Sequence, residues 1–539
     1  MTRPVPGSGP ASSRITRSRS RSWIARPSAS SAGVSWAGAG ELVIPGSLCG
    51  GAGRPVDRWA GVPVDGPDLH TGAMKRADLE RLDGLARNPA APESVLLRIL
   101  TGAEGPVRGS VFDRDDVPES VCDAAVSHPD REVRGYLAVG RGASGAQRAR
   151  LAADPDPWVR GRVAAGPEVH GRWRKADPLP DEVCAALARD EDQQVRAWLG
   201  MFVPVPDEVW ALLLADPEAK VRESALYHWR RAPIEAVRPL LDDPDPAVRR
   251  AAAHVADVVL GSPAEILEQI AATESGWERR RTAAGAGLTE DLADRLYATG
   301  DEDVRAGLAA NRGLPDRLVT ALAADGSPAV RLAVSLRPEL TEERRAAIDW
   351  HVGPEDRIDP PAWVAQSLTD LVLMRACVES AHPGMRRFAA YSPHLPGDLV
   401  ARLAADEDFV VRMLLCENHP AAPGDLLLET LLASPFITRF EQLPRPQFPR
   451  AGLARFAESE DPGARSLVAR DPEAPAELIE RLSHDPSPGV RCVMARDARL
   501  PVGRLLELLD EPETMGAAAE GPALPLTAME AVLAAAGIP

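Results

Sequence analysis

The chain has 539 residues, of which 45% are hydrophobic and only 4% aromatic, and its formal net charge is −17. Such an acidic chain disfavours nucleic acids and anionic membranes as partners, because both are bound through clustered Lys and Arg. It favours a protein or peptide partner that is basic or neutral. The sequence has no apolar run of the roughly 18 residues that a membrane span needs and no compact apolar signal segment, so we expect a cytoplasmic protein.

Residues 1–73 differ in composition from everything that follows. They are rich in Arg, Ser, Gly and Pro, as in SSRITRSRSRSW, and show no apolar periodicity. Three interpretations stay open. The segment is a disordered basic tail, or a transit peptide, or it is not translated, with synthesis starting at Met74, where MKRADLERLDGLARNP opens a helical pattern.

A repeat of 26 residues begins soon after Met74. It is clearest in PDEVCAALARDEDQQVR, from Pro180, and PDEVWALLLADPEAKVR, from Pro206. A fixed period of this length indicates an array of stacked units. Ten of the recurrent arginines follow a proline by sixteen residues, and Arg280 and Arg357 fit the pattern least well. The arginines are Arg108, Arg134, Arg160, Arg196, Arg222, Arg249, Arg280, Arg305, Arg331, Arg357, Arg386, Arg412, Arg439, Arg465 and Arg491.

Each unit is predicted to be a helix, a tight turn and a short second helix. The proline suits the first position of the first helix, where its missing N–H costs nothing. The second helix has an N-cap residue followed by proline, as in Asp156-Pro157 and Ser327-Pro328. One such unit cannot bury its own apolar face. We therefore expect an all-α fold, an α–α superhelix or solenoid of about sixteen stacked two-helix units.

The period also predicts the domain organisation. Residues 74–348 form an N-terminal array, 349–363 an irregular Pro-rich break, 364–512 a C-terminal array, and 513–539 a tail with a candidate capping helix. A second disturbance, WERRRTAAGAG at 277–287, is interpreted as a bend.

The units resemble a known family. LARDEDQQVR, LADPEAKVR and LAADEDFVVRMLLCENHPAAPGDLL are similar to leucine-rich repeat variant (LRV) units, and the Asp-x5-Arg core also resembles HEAT-like repeats. HEAT units are longer, about 40–47 residues, so the LRV family is the closer match. The resemblance implies an α–α superhelix over about 76–510 that binds other proteins. LRV proteins add an N-terminal cysteine cluster for an iron–sulfur centre, but only Cys49 precedes Cys122 here, so no cofactor is expected.

The recurrent Asp and Arg allow two interpretations. Either the arginines form a cationic ladder that binds acidic ligands, or each pairs with the Asp six residues earlier or with one in the adjacent unit and joins the units. Because every unit carries them, we favour the structural ladder. Its residues are Asp154, Arg160, Asp190, Arg196, Asp216, Arg222, Asp243, Arg249, Asp325, Arg331, Asp406, Arg412, Asp485 and Arg491.

The best candidate for a binding site lies where ten residues interrupt the period, between Arg160 and Arg196. The inserted stretch, GPEVHGRWRKADPLP, places an aromatic side chain among cations in an acidic chain. It is either an interaction site or an ordinary long loop. The candidate binding residues are His170, Arg172, Trp173, Arg174 and Lys175.

The sequence offers no catalytic residues and no metal site. It contains no HExxH, Walker loop, GxSxG or paired metal-ligand cysteines. We therefore expect a non-catalytic scaffold. The alternative is an enzyme, or an enzyme accessory of HEAT-like type, that grips a substrate on a concave face. An enzyme would show a deep pocket with a buried, non-repeating His, Asp or Trp cluster, and a scaffold would show a shallow groove.

Overall fold

The computed structural model describes residues 75–539 apart from 104, 169–175, 203, 230–231, 257, 355, 357 and 434–441. These residues fall within one compact unit. They form thirty-two α-helices and four short 3₁₀ helices. They contain no β-strand, only an isolated parallel bridge between Val259 and Ala286. The prediction of an all-α fold is confirmed. None of the described helices has the length and apolarity needed to cross a membrane.

Most helices are short, between four and twelve residues. In chain order they are α1 Arg76–Arg87, α2 Glu93–Gly102, α3 Val107–Ser110, α4 Glu119–Val126, α5 Arg131–Ala138, α6 Gly145–Ala149, α7 Pro157–Ala165, α8 Asp181–Leu187, α9 Gln193–Trp198, α10 Asp207–Leu214, α11 Ala219–His228, α12 Ile234–Val237, α13 Pro246–Ala256, α14 Pro263–Ala272, α15 Gly276–Gly285, α16 Glu290–Ala298, α17 Glu302–Ala310, α18 Asp316–Ala323, α19 Pro328–Ser335, α20 Glu342–Ala346, α21 Ala362–Gln366, α22 Leu371–Glu379, α23 Pro383–Ala389, α24 Gly397–Ala404, α25 Phe409–Asn418, α26 Gly424–Ala433, α27 Pro462–Ser466, α28 Ala476–Leu482, α29 Pro488–Ala495, α30 Val502–Asp510, α31 Met515–Glu520 and α32 Leu526–Ala535. The 3₁₀ helices are Val111–Asp113, Arg238–Asp242, Leu453–Phe456 and Leu467–Arg470.

The two kinds of helix start in different ways. At α8, Pro180 lies at the N-cap and not at the first helical position, which corrects the prediction by one residue. Its carbonyl accepts hydrogen bonds from the backbone N–H of Val183 at 3.0 Å and of Cys184 at 3.1 Å. At α7 the prediction is correct, because Pro157 is the first helical residue and the Asp156 carboxylate caps the helix.

The helices that carry the recurrent arginine are called here the arginine helices. They are α3, α5, α7, α9, α11, α13, α15, α17, α19, α23, α25, α27 and α29. Each packs against the next from α3 to α13, again from α15 to α19, and in the pairs α23–α25 and α27–α29. The intervening helices begin mostly after a proline and connect one arginine helix to the next.

The apolar core is divided into three clusters. One contains residues from Leu82 to Ala256 together with residues from Ala457 to Ile538. The second runs from Ile266 to Ile348, and the third from Leu336 to Leu467. The first boundary therefore separates α13 from α15, and we call it the seam. Residues 276–285, within the stretch predicted as a bend, form helix α15, which follows this boundary.

The boundary between the second and third clusters falls near the predicted break at 349–363. Among the described residues no helix forms between Ala346 and Ala362. Ile348 belongs to the second cluster and Trp363 to the third. A unit centred on Arg357, expected from the period, therefore does not form a helix pair there, and Arg357 itself lies outside the described residues.

The first and last described helices pack against each other, a contact called here the terminal joint. Helix α1 contacts α31 and α32, and α2 contacts α32. No Cβ would fit at Gly84, because it would collide with the backbone of Gly516. Residues 513–539, predicted as a tail with a capping helix, thus contain two helices that bury their apolar side chains against the start of the array.

The terminal joint uses the same hydrogen bonds as an internal joint. The side-chain amide of Asn88 donates to the carbonyls of Ala519 and Gly521, both at 2.8 Å. Inside the array, the amide of Asn311 donates to the carbonyls of the preceding unit, Ala283 at 3.0 Å and Ala286 at 2.8 Å. The last unit therefore contacts the first as if it preceded it in the chain.

Candidate functional site

The recurrent arginine binds two units at once, as Arg222 shows. Its Nε and Nη2 donate to the carboxylate of Asp243 in the next unit, both at 2.8 Å. Its Nη1 donates to the backbone carbonyl of Asp216, six residues earlier, at 2.8 Å. Both partners considered for the ladder thus meet at one guanidinium, the earlier Asp through its backbone and the later Asp through its side chain.

The aspartate of each pair also closes the turn in which it lies. One carboxylate oxygen of Asp243 accepts the backbone N–H of Asp245 at 2.9 Å. The hydrogen bonds from Arg222 are the largest influence on this carboxylate, and they lower its pKa below the ordinary aspartate value of 3.8. Because the side chain of Asp243 is only 5% exposed, this ion pair is buried between two units and is not a surface contact.

The ladder geometry recurs along the chain. The same fork on an aspartate of the next unit occurs at Arg134–Asp154, Arg160–Asp190, Arg196–Asp216, Arg305–Asp325, Arg386–Asp406 and Arg465–Asp485. Three predicted members bind other acids, namely Arg331 to Asp349, Arg412 to Glu429 and Arg491 to Glu513. These ladder arginines are therefore each paired with a carboxylate of the chain.

One ladder position differs from the one that the repeat period predicted. In α15 the arginine that adopts the ladder geometry is Arg279, not Arg280. Its Nη1 donates to the carbonyl of Thr273 at 3.2 Å, and its guanidinium pairs with Asp301 at 3.2 Å. Arg279 also lies 26 residues before Arg305, which restores the common spacing.

The ladder is interrupted at the seam. Arg249 of α13 donates to the carbonyls of Asp243 at 2.7 Å and Pro244 at 3.0 Å. Among the described residues no carboxylate pairs with this guanidinium. The reason lies in the sequence of the next unit. Thr273 stands six residues before Arg279, where seven other units have aspartate, and Ser275 stands at the position from which Asp130 and Asp301 bind Arg108 and Arg279. Thr273 Oγ accepts the backbone N–H of Ser275 at 3.4 Å but offers no charge to Arg249.

Aromatic and cationic side chains meet on the surface of the seam. The rings of Tyr227 and His254 lie 6.2 Å apart between centroids. His254 Nδ1 is 2.6 Å from Arg281 Nη2, and because arginine only donates, Nδ1 accepts and the ring proton lies on Nε2. The Arg281 guanidinium lies 5.7 Å from the centroid of the Trp277 ring.

Trp277 is exposed because the preceding arginine helix, α13, has no glycine against which its ring could pack. Trp158 holds the same position in its unit, two residues before the ladder arginine, and packs against Gly135 of the preceding unit. The position equivalent to Gly135 in front of Trp277 is Arg250, so the glycine that makes room for Trp158 has no counterpart here. Trp277 is accordingly 64% exposed, and Tyr227 is 49% exposed.

We call this region the seam surface. It consists of Tyr227, Arg249, Arg250, His254, Trp277 and Arg281. Two features of the sequence mark this surface. Thr273 stands in place of the ladder aspartate, and Arg250 stands in place of the glycine that precedes a tryptophan in another unit.

A buried polar cluster lies where the second and third core clusters meet. His382 Nε2 is 3.0 Å from Ser335 Oγ, and the His382 ring lies 3.9 Å from that of Trp350. His382 Nδ1 accepts the backbone N–H of Gly384 at 3.0 Å, so Nε2 carries the proton and donates to Ser335. This is the wrong tautomer for a base that activates a serine. His382 instead caps helix α23.

The candidate binding residues His170, Arg172, Trp173, Arg174 and Lys175 lie outside the described residues. Two open cavities, of about 370 and 490 Å³, lie on the ladder and are lined by Arg465 and Asp485 in one case and by Arg160 and Asp190 in the other. Within the described ranges no group of three His, Cys, Asp or Glu side chains is placed to hold a metal ion.

The cysteines of the described residues are free thiols. Cys122, Cys184, Cys377 and Cys416 are buried, whereas Cys492 is partly exposed. Burial raises the pKa of the Cys122 and Cys377 thiols to about 12, so these groups stay protonated and act as small apolar side chains.

Comparisons with known proteins add no family. No family model matches the chain, and no curated protein matches it. Among solved structures, the chain is similar to the crystal structure of an engineered protein from a structural genomics consortium, at 14% identity. The match covers 84% of this chain and 99% of that one, with a TM-score of 0.16, so the likeness supports no statement about fold or function.

Proposed function

We propose that the chain is a non-catalytic scaffold that binds a protein or peptide through the surface of an α–α superhelix. About sixteen helix–turn–helix units of the LRV kind would build the superhelix. The sequential packing of the arginine helices and the ladder between units support this arrangement. The terminal joint adds that the first and last units are in contact.

The observation that carries the proposal is a concentration of exposed apolar side chains in one part of the chain. Of thirteen large hydrophobic residues that are exposed in the described ranges, eight lie between Phe202 and Tyr297. Exposed apolar side chains that share one surface mark interaction sites, so this part of the chain is where we place the binding surface. The eight are Phe202, Leu212, Tyr227, Ile234, Val258, Leu260, Trp277 and Tyr297.

Three further observations agree with a cytoplasmic binding protein. The net charge of −17 favours a basic or neutral partner over most of the surface. The ladder cations are held by structural contacts, and the tautomer of His382 does not suit acid–base catalysis of a serine reaction. The free thiols of the described residues fit a reducing compartment.

Affinity capture tests the proposal. The full chain, tagged and immobilised, is incubated with a lysate of the source organism, and the bound proteins are quantified by mass spectrometry. The control bait is the chain with Trp277→Ala and Tyr227→Ala, which removes two exposed rings from the surface. We expect at least one protein to be retained by the native bait and lost from the control. If no protein is enriched on the native bait, the scaffold function is wrong.

A further inference from the structure

We propose that the seam surface binds a short acidic segment of an otherwise neutral partner protein. One carboxylate of that segment would occupy the guanidinium of Arg249, and an apolar side chain next to it would pack on Trp277. The inference rests on the proposed scaffold function and names the chemistry of the partner at one site.

Arg249 is a ladder arginine without its carboxylate. In the four preceding arginine helices, an aspartate carboxylate of the next unit accepts hydrogen bonds from the guanidinium. The arginines concerned are Arg134, Arg160, Arg196 and Arg222. Arg249 keeps the backbone contacts that aim its guanidinium in the same way. Its fork is thus held in position for a carboxylate that the described part of the chain does not supply. A preordered arginine binds a carboxylate with two parallel hydrogen bonds.

Helices α13 and α15 carry arginines that make no ion pair among the described residues. Helix α13 carries Arg249 and Arg250 and no acidic residue. Among the described residues neither Arg250 nor Arg280 has an ion-pair partner, and both side chains are exposed. Of the acids close to this surface in the chain, Glu223 pairs with Lys220 at 2.9 Å, Glu278 accepts a hydrogen bond from Thr273 and Asp245 accepts the backbone N–H of Ala247. Glu274 is exposed and makes no ion pair among the described residues. An acidic segment is therefore attracted to this surface and repelled by most of the remainder.

The apolar part of the surface adds affinity and selectivity. Trp, Tyr and Arg are the residues that most often dominate binding energy at protein interfaces, and here they lie side by side. The seam separates two core clusters, and ligands commonly bind at such boundaries. A nucleic acid fits less well, because it needs a track of cations along its backbone and the body of the protein is acidic.

The test measures binding of the full chain to a fluorescein-labelled peptide in which glutamates flank a tryptophan, by fluorescence anisotropy. The decisive variant is Thr273→Asp, which supplies the missing ladder aspartate from within the chain. We expect it to weaken peptide binding at least about tenfold while the melting temperature stays equal or rises. Trp277→Ala should weaken binding to a similar degree through loss of the apolar contact.

Matched controls separate the site from the general effect of charge. Thr320→Asp adds the same charge at an exposed position of α18 and should leave the affinity unchanged. The peptide with lysine for each glutamate should not bind. The proposal is overturned if the native chain fails to bind the acidic peptide, if Thr273→Asp binds as tightly as the native chain, or if oligothymidylate binds more tightly than the peptide.

The capture experiment, repeated with the Thr273→Asp chain as bait, distinguishes the two proposals. If the partner is lost, both stand. If a partner is captured equally by the native and Thr273→Asp baits, the scaffold function stands and the seam site is wrong. If neither bait retains a protein, the scaffold function itself fails.

Discussion

The guanidinium of Arg222 holds the carboxylate of Asp243 through two nitrogen atoms, each 2.8 Å from an oxygen, across the boundary between two units. Both side chains are largely buried, with exposed fractions of 12% and 5%. Because the aspartate also accepts a backbone N–H, removal of the arginine leaves a buried carboxylate with one partner.

Arg222→Ala should therefore lower the free energy of unfolding by about 2–4 kcal/mol. The matched control is Arg317→Ala, because Arg317 also binds both carboxylate oxygens of Asp294, through Nη1 and Nη2, but on the surface. There we expect a much smaller loss, because solvent screens an exposed ion pair. Urea denaturation followed by circular dichroism measures both. Equal midpoints for the two variants would show that the ladder does not stabilise the fold.

The terminal joint makes a second prediction through two equivalent amides. Asn88→Ala and Asn311→Ala each remove two hydrogen bonds to buried carbonyls of another unit. Both should destabilise the protein by a similar amount, about 1–3 kcal/mol. If the two ends part in solution, Asn88 is hydrated and its replacement costs almost nothing. Thermal denaturation of the two variants decides between these outcomes.

The buried imidazole predicts a dependence of stability on pH. The pKa of His382 is lowered from the ordinary histidine value of 6.5 to about 3, mainly by burial and in part by the nearby Arg345. The unfolded chain therefore binds a proton near pH 6.5 that the folded chain does not bind. Stability from this group is complete above pH 6.5 and falls by about 1.4 kcal/mol for each pH unit below it, until the folded-state value is reached.

His382→Asn keeps a side-chain acceptor for Gly384 but cannot titrate. It should flatten the loss of unfolding free energy between about pH 6.5 and 5, measured by urea titration at several pH values. Some slope remains, because burial also lowers the pKa of His419. His351→Asn, at an exposed position, serves as the control and should leave the slope as in the native chain. An unchanged slope in His382→Asn contradicts the assignment.

Truncation tests the start of the folded array. A chain that begins at Met74 retains α1 entirely, and we expect it to have the melting temperature of the full chain. A chain that begins at Asn88 lacks α1, whose side chains Leu82 and Leu85 are fully buried, and should melt at a clearly lower temperature. If the chain that begins at Met74 melts at a lower temperature than the full chain, residues 1–73 contribute to stability.

The insertion between Arg160 and Arg196 supplies an independent prediction from the sequence. Trp173→Ala together with Arg174→Ala should abolish capture of the partner and leave the helical circular dichroism signal unchanged. Undiminished capture by this double variant would remove the insertion as a binding site and leave the seam surface as the candidate.

The regular features of the fold were accessible from the sequence because they repeat. The spacing of Pro180 and Arg196 recurs often enough to predict two helices per unit, and the constancy of Asp and Arg pointed to a structural ladder. The alignment failed at Arg280 because WERRRT offers three arginines and lacks the preceding valine, so only the hydrogen bond to Thr273 identifies Arg279.

The seam surface and the terminal joint could not be predicted in the same way. The seam depends on what is absent, an aspartate at Thr273 and a glycine at Arg250, and an absence gains meaning only when neighbouring units are superimposed. The terminal joint depends on contacts between distant parts of the chain, such as Asn88 with Ala519, 431 residues later. No local pattern predicts that contact, although Asn88 and Asn311 share one role.

The terminal joint also imposes a delay on protein synthesis. The carbonyl that accepts from Asn88 belongs to Ala519, 431 residues later in the chain. At a translation rate of about 5–20 residues per second, helix α1 leaves the ribosome roughly 20–90 s before its partner exists. During that interval α1 already contacts α2 and α3, but the side that packs on α31 and α32 stays open to chaperones and to other nascent chains.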